Sequence, residues 1–425
     1  EKGDFKKMFD AYTDAIDQNT SYYTIVQRYA SAYINDDPEN EANVLFKKSL
    51  LRKSASNPKD VWNTLLSWLF TQQKEYNKAF IQEKALFQRN PKGLTPIYSL
   101  GKIAFENKDY TTAKTIFNYI IDHTVFNEEK VDAYLYITDI AIAEKQTDVD
   151  KLFKSLFTQF GKNTLTIQLQ VAYADFLTFE ENNPNKAKEI LETALTFSKS
   201  KFDKARIKLK LGDILVFTGK YNKALIYFSQ IQTQLKNHEL AQQARFKVAQ
   251  TSYFKGDFTW AKAQLKVLKG STTQLIANDA LELFLIITDN EPVDSIPSGL
   301  KEYSKAELLA FQNKTQQAID TLHVINKKFK GQPIEDEALF KQAKLYIKIN
   351  QFEAAIANFE KIISLFSDGI LIDDVYYEMA ELYNNQLNNP EKASEYYQKI
   401  IFDYSSSIYL VDARKKYRKI RGDKV

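Results

Sequence analysis

The 425-residue chain contains no cysteine, which removes disulfides, thiolate nucleophiles and zinc–thiolate sites together and is compatible with a reducing cytosol or a bacterial periplasm. Glycine and proline are scarce, at 12 and 9, so strand and turn signals are few. The abundance of Lys, Ala, Leu, Ile, Glu and Gln instead favours nearly continuous helix. Charge of one sign is lacking too: 58 basic residues stand against 54 acidic ones, net +4. Such a balance offers no field to hold a polyanion, so nucleic acid is not expected as the main partner. No apolar run approaches the roughly 20 residues that cross a bilayer, and no transmembrane segment is expected.

The equipment of catalysis is also missing. His123, His238 and His323 are far apart and lack HExxH or any other ligand-spaced partner, so they read as surface or turn residues. Gly219-Lys220 and Gly256-Asp257 lack the phosphate-loop pattern and read as left-handed turn glycines. Asp36, Asp37, Glu39 and Glu41 have no calcium-loop spacing and read as helix N-terminal charge. With no nucleophile beside a base, no metal constellation and no cofactor cradle, the sequence reads as non-enzymatic, with no cofactor and no metal.

What is present is one recurring spacing: a polar turn, an aromatic, an alanine three residues later and a large apolar residue four beyond that. It occurs as Gly219, Tyr221, Ala224, Phe228; as Gly256, Phe258, Ala261, Leu265; as Asn350, Phe352, Ala355, Phe359; and as Lys108, Tyr110, Ala113, Phe117. The anchoring alanines are Ala42, Ala79, Ala113, Ala187, Ala224, Ala261, Ala318, Ala355 and Ala393. They recur about every 34–38 residues, or at twice that step over a degenerate copy at 128–162, which is the period of a helix-turn-helix repeat. Regularity fails between Ala261 and Ala318, where 272–288 reads as one apolar helix and 289–297 as a loop with two prolines. The expected organisation is therefore a repeat array over 1–288, a hinge at 289–297 and a second array over 298–425.

Individual copies carry further signals. Val26, Tyr29, Ala30 and Tyr33 are expected to open the first pair and Ala42 and Phe46 to close it. Leu100-Gly101 and Leu211-Gly212 permit close helix approach, and Pro184 suits a first helical position. Ser405–Ser407 are expected to cap a terminal helix over about 407–421, with Ile408, Leu410, Ala413, Tyr417 and Ile420 facing inward and a basic opposite side. Residues Glu1–Phe5 read as a turn in mid-repeat, with Phe5, Met8 and Tyr12 on the helix that should come second in its pair. An upstream segment, one that held a signal peptide, is thus expected to have been removed.

This order of residue types resembles the tetratricopeptide repeat over nearly the whole chain, although Glu39, Thr147, Pro184, Thr315 and Pro390 stand where the aromatic is usual. The composition, and Tyr404–Tyr409 leading into a basic helix, resemble tetratricopeptide proteins of bacterial cell envelopes, especially of Bacteroidetes. The resemblance implies an all-α superhelix of about ten helix pairs, an envelope or periplasmic location with the cytoplasm as the alternative, and a groove lined by the first helix of each pair. Counting from the anchors places Trp68, Tyr98, Lys102, Phe105, Phe246, Tyr253, Tyr303, Phe340 and Lys344 on or near that groove. The Lys/Asn pair by which chaperone-binding members clamp a terminal carboxylate is absent from the corresponding places, such as Tyr98/Lys102 and Phe340/Lys344.

A non-catalytic scaffold that binds a protein or extended peptide, in the assembly of a larger complex, is the expected function. Two other readings stay open: a tether that self-associates through its repeat ends, and the non-catalytic part of an enzyme or signalling protein whose catalytic domain lies upstream. A groove for a small molecule or glycan is not separately signalled.

Overall fold

The computed structural model describes residues 4–91, 93–270, 274–291 and 299–423. Among them are 23 α-helices, two single 3-10 turns and no strand. Contacts divide the chain into two compact units, one reaching Leu169 and the other spanning Gln170–Asp423.

The first unit contains α1 (Phe5–Gln18), α2 (Tyr23–Ala30), α3 (Glu41–Ser56), α4 (Asp60–Gln72), α5 (Tyr76–Arg89), α6 (Thr95–Glu106), α7 (Tyr110–His123), α8 (Asn127–Ala143) and α9 (Val149–Phe160). The division falls within α10 (Ile167–Phe179). The second unit continues with α11 (Pro184–Phe197), α12 (Lys201–Phe217), α13 (Tyr221–Gln234), α14 (Glu239–Phe254), α15 (Phe258–Leu268) and α16 (Gln274–Asp289). After α16 come α17 (Leu300–Phe311), α18 (Thr315–Lys328), α19 (Ile334–Lys348), α20 (Phe352–Leu365), α21 (Ile372–Asn385), α22 (Pro390–Asp403) and α23 (Leu410–Ile420). Of the expected 289–297 hinge, residues 292–297 lie outside the described residues. The expected apolar helix at 272–288 is α16.

Helix pairing follows from the small residues. Every anchoring alanine is buried, and one helical turn beyond six of them stand the fully buried Phe46, Phe117, Phe228, Leu265, Phe359 and Tyr397. A methyl group at Ala lets two helix axes approach closely while the facing ring fills the gap that remains. Gly101 and Gly212 take this further: a Cβ at Gly101 would sit 2.9 Å from Ile116 Cγ2, and one at Gly212 only 2.2 Å from the Phe228 ring. In α9 the anchor position holds Asp150, and the helix packs through Phe153, Leu156 and Phe157 instead.

The turns are equally regular. Five residues before every anchor except Ala42 the backbone turns left-handed, at Lys74, Lys108, Asn182, Gly219, Gly256, Asn313, Asn350 and Asn388. In one such turn Lys108 N–H donates to Phe105 C=O and Asp109 N–H to Ala104 C=O, both at 2.9 Å, which satisfies the last carbonyls of α6. A side chain in this conformation costs roughly 1–2 kcal/mol that glycine does not incur, partly offset by the extra freedom glycine has when unfolded. Lys108→Gly is therefore expected to stabilise the chain by about 1 kcal/mol. Chemical denaturation checks this, and a loss of stability would show that the lysine side chain makes a compensating contact.

Two sequence expectations are corrected. The first pair is not opened by α2: Phe9 of α1 packs at a tilt against Phe46 of α3 with ring centroids 4.7 Å apart, Thr13 Oγ1 lies 2.8 Å from Ser49 Oγ, and Lys53 binds Asp14 and Asp17. Helix α2 is only eight residues long, and Tyr29 and Tyr33 are exposed although Val26 and Ala30 are buried. At the other end, α23 begins at Leu410 without a side-chain cap, and Ser407 Oγ instead accepts from Tyr409 N–H within the preceding turn. Ile408 is 86% exposed, so the inward face of α23 starts with the half-buried Leu410 and centres on Ala413.

Candidate functional site

In the second unit the first helices of successive pairs are tied by ion pairs at the repeat spacing. Lys247 binds Asp213 at 3.1 Å, Lys341 binds Glu307 at 2.8 Å, Lys416 binds Glu381 at 2.7 Å, and Lys210–Asp175 and Lys344–Glu378 also pair. The last helix joins the series, because Tyr377 Oη donates to Asp412 at 2.6 Å and Lys416 donates to Tyr377 Oη at 2.9 Å. Burial opposes charge on Lys416, but Asp412 and Glu381 outweigh it and carry its pKa upward. Each such partly exposed pair contributes at most about 1 kcal/mol. Their larger consequence is that these first-helix charges have partners within the chain.

A row of phenylalanines lies at the C-terminal ends of the same helices. Phe179 packs edge-on against Phe217 at 5.4 Å and against Phe311 at 5.3 Å, and Phe254 meets Phe311 at 5.9 Å. The α17–α18 turn is thereby docked on helices well before it in the chain. Asn313 Nδ2 donates to Phe179 C=O, and Lys348 donates to Asn313 Oδ1 at 3.2 Å.

Beside this contact is a cavity of about 500 Å³ lined by α14, α16, α17 and α19. Its apolar wall includes Phe246, Phe254, Leu283 and Phe311, and its polar wall includes Gln250, Asp279, Glu282, Glu307 and Lys341. Tyr253 Oη donates to Glu307 at 2.8 Å, so Glu307 is held by both Tyr253 and Lys341. Burial, then the Glu307 and Asp279 charges, raise the Glu282 pKa above the ordinary carboxylate value.

Among the residues expected to line a groove, Phe246 and Tyr253 border this cavity. Tyr253 is buried, whereas Phe246 is half-buried. Tyr303 is buried in the core formed by α14–α19. Phe340 is half-buried against Phe359, with ring centroids 5.9 Å apart, and Lys344 extends its ammonium to Glu378.

In the first unit, Trp68 is half-buried edge-on to Phe46 at 6.4 Å. Tyr98 and Phe105 both pack against Tyr136 of α8, at 5.9 and 5.2 Å, and Lys102 is half-buried between them on α6. His123 stacks on Tyr119 and His238 caps α14 by accepting from Leu240 N–H, which fits their reading as turn and helix-end residues.

Sequence reasoning missed Phe254, Phe311, Asp279, Glu282 and Glu307. The first two had a signal: Phe217, Phe254 and Phe311 each stand seven residues before an anchoring alanine. The carboxylates of α16 had none, because no anchor follows that helix.

A second buried polar contact links α16 and α19. Asn290, 1% exposed, donates to Glu337 Oε1 at 3.4 Å and to Ile286 C=O at 3.0 Å. Among the described residues, its Oδ1 and Glu337 Oε2 have no hydrogen-bond partner. Burial, followed by the adjoining Asp336 carboxylate, pushes Glu337 up to about 8.

The sequence profile of the tetratricopeptide repeat matches residues 337–369 and 374–407, which hold α19–α20 and α21–α22. No curated protein matches the chain by sequence. Similar solved structures include a Rap protein complexed with competence and sporulation factor, 15% identical, covering 86% of this chain and 96% of that one with a TM-score of 0.42. A tetratricopeptide repeat protein from Parabacteroides merdae is 14% identical and covers 69% and 98%, with a TM-score of 0.28. A human IFIT1 dimer with m7Gppp-AAAA is also 14% identical, covering 91% and 86% at a TM-score of 0.34.

Proposed function

We propose that this chain is a non-catalytic scaffold that holds an extended segment of another protein on the first-helix face of its second unit, at the cavity between α14, α16, α17 and α19, within a larger assembly. The observation that carries this reading is the cavity itself: aromatic rings line it beside carboxylates, while Lys341 and Lys344, basic groups of the same face, are paired within the chain. Stacked helices hold those rings in place before a partner arrives, so binding loses little ordering entropy. An extended peptide suits such a face because successive side chains can enter successive inter-helix hollows.

Selection from a displayed library of random 12-residue peptides tests the reading on the intact chain. Binders are expected whose affinity falls at least tenfold in Phe246→Ala, with the melting temperature of the variant monitored alongside. Recovery of no binder, or of binders indifferent to Phe246, would contradict it. Self-association through the repeat ends is the second reading, favoured by the exposed Tyr22, Tyr23, Ile25, Tyr29 and Tyr33 on and around α2. Solution scattering with a molecular mass independent of concentration would remove it.

A further inference from the structure

We propose that the cavity in the second unit takes a cationic side chain, arginine or lysine, of the bound segment, with Asp279 and Glu282 as its counter-charge and Phe246, Phe254 and Phe311 as the walls for its stem. This rests on the scaffold reading above and names the chemistry it selects.

The charge at the cavity is not balanced by the chain. Among the described residues, neither Asp279 nor Glu282 has an ion pair, although both line the cavity. Glu307 is already engaged by Lys341 and Tyr253, and Lys348 donates to Asn313. The lining carries three carboxylates, Asp279, Glu282 and Glu307, against two ammoniums, Lys341, which is shared with Glu307, and Lys348, whose neutral amide partner leaves its charge in place; nearest in effect on Glu282 are Glu307, Asp279 and Asp374 against Lys341. An incoming cation would meet uncompensated negative charge, whereas an incoming anion would be repelled.

Placement of these groups fits a long basic side chain better than a small ion. Asp279, Glu282, Leu283 and Ile286 follow one another at helical spacing, which puts two carboxylates and two apolar residues on one stripe of α16. Opposite lie Phe246, Tyr253 and Phe254 of α14 and Phe311 of α17. A methylene stem is covered by the apolar part of such a surface and the charged head reaches the acidic part. A guanidinium gains additionally by stacking on an aromatic face and by forked bonding to a carboxylate. An apolar side chain entering the same space would strip water from Glu282 without replacing its hydrogen bonds, a cost that selects against it.

The displayed peptides provide the test, because their composition and the effect of neutralising single side chains are read separately. Binders are expected to share a basic residue at one position. Replacing it by citrulline, if arginine, or acetyl-lysine, if lysine, should weaken binding to the unaltered protein at least tenfold. The double variant Asp279→Asn/Glu282→Gln should show the same loss with the parent peptide and little further loss with the neutralised one. Binders that need Phe246 but carry no basic residue would overturn this inference and leave the scaffold reading standing. A basic residue whose importance is unchanged in the double variant would overturn it as well, since the contact would then lie elsewhere. The absence of any binder would overturn both.

Discussion

Gly212→Ala is expected to destabilise the chain by about 2–3 kcal/mol, against the usual gain of roughly 0.5–1 kcal/mol when glycine is replaced by alanine inside a helix. The sign is set by Phe228. A Cβ at position 212 would stand 2.2 and 2.4 Å from two atoms of its ring, far inside van der Waals contact, and Phe228 is completely buried. The ring cannot swing away without displacing its own neighbours in a core that also holds Leu215, Ala224 and Ile231.

Urea unfolding followed by circular dichroism measures the change. A shorter residue opposite should relieve it: Phe228→Leu alone leaves space and costs stability, but in combination with Gly212→Ala the two losses should be markedly less than additive. Stability unchanged or raised in Gly212→Ala would mean that α12 and α13 cross elsewhere than described.

Glu337→Gln is expected to stabilise the chain at pH 8 by about 1–3 kcal/mol while changing little near pH 4.5. The folded-state pKa of about 8 lies above the ordinary value of 4.5, because burial and Asp336 both disfavour the charged form. A carboxyl group shifted upward binds its proton more tightly in the folded chain than in the unfolded one. Its favourable contribution is therefore complete below pH 4.5 and is lost as pH rises towards 8. Glutamine keeps the size and neutrality of the protonated acid and cannot lose that contribution.

The difference in stability between the two proteins across pH 4.5–8 isolates this group from Asp374 and Glu282, whose pKa values are also raised chiefly by burial. Parallel stability profiles for the two proteins would show that Glu337 is hydrated or paired in the folded chain.

The period, the helix pairs and most turns were legible because each depends on residues close in sequence. Ala224 and Phe228 are one helical turn apart, and the left-handed position falls five residues before every anchor after Ala42, whether Gly, Asn or Lys occupies it. The first pair was not legible in the same way. Spacing put Tyr29 before Ala42 as the first helix before its partner, but the chain between them is extended by residues 31–40, and α1 takes the place against α3.

Counting from the anchors, as the family resemblance implies, named Phe246 and Tyr253, which border the cavity. It could not reveal that Phe311 meets Phe179, because that contact depends on the accumulated rotation of the intervening helices and not on any local pattern. Glu337 was hidden for a related reason: Glu335, Asp336 and Glu337 stand in the first turn of α19, where acidic residues are ordinary. Only the fold brings Asn290 against them.

Hydrogen exchange on the intact chain, compared with and without a peptide selected from the displayed library, tests the binding face most directly. Added protection is expected in α14, α16, α17 and α19, where the cavity walls lie. Protection confined to the second helices α13, α15, α18 and α20, or to α2, would contradict a first-helix binding site.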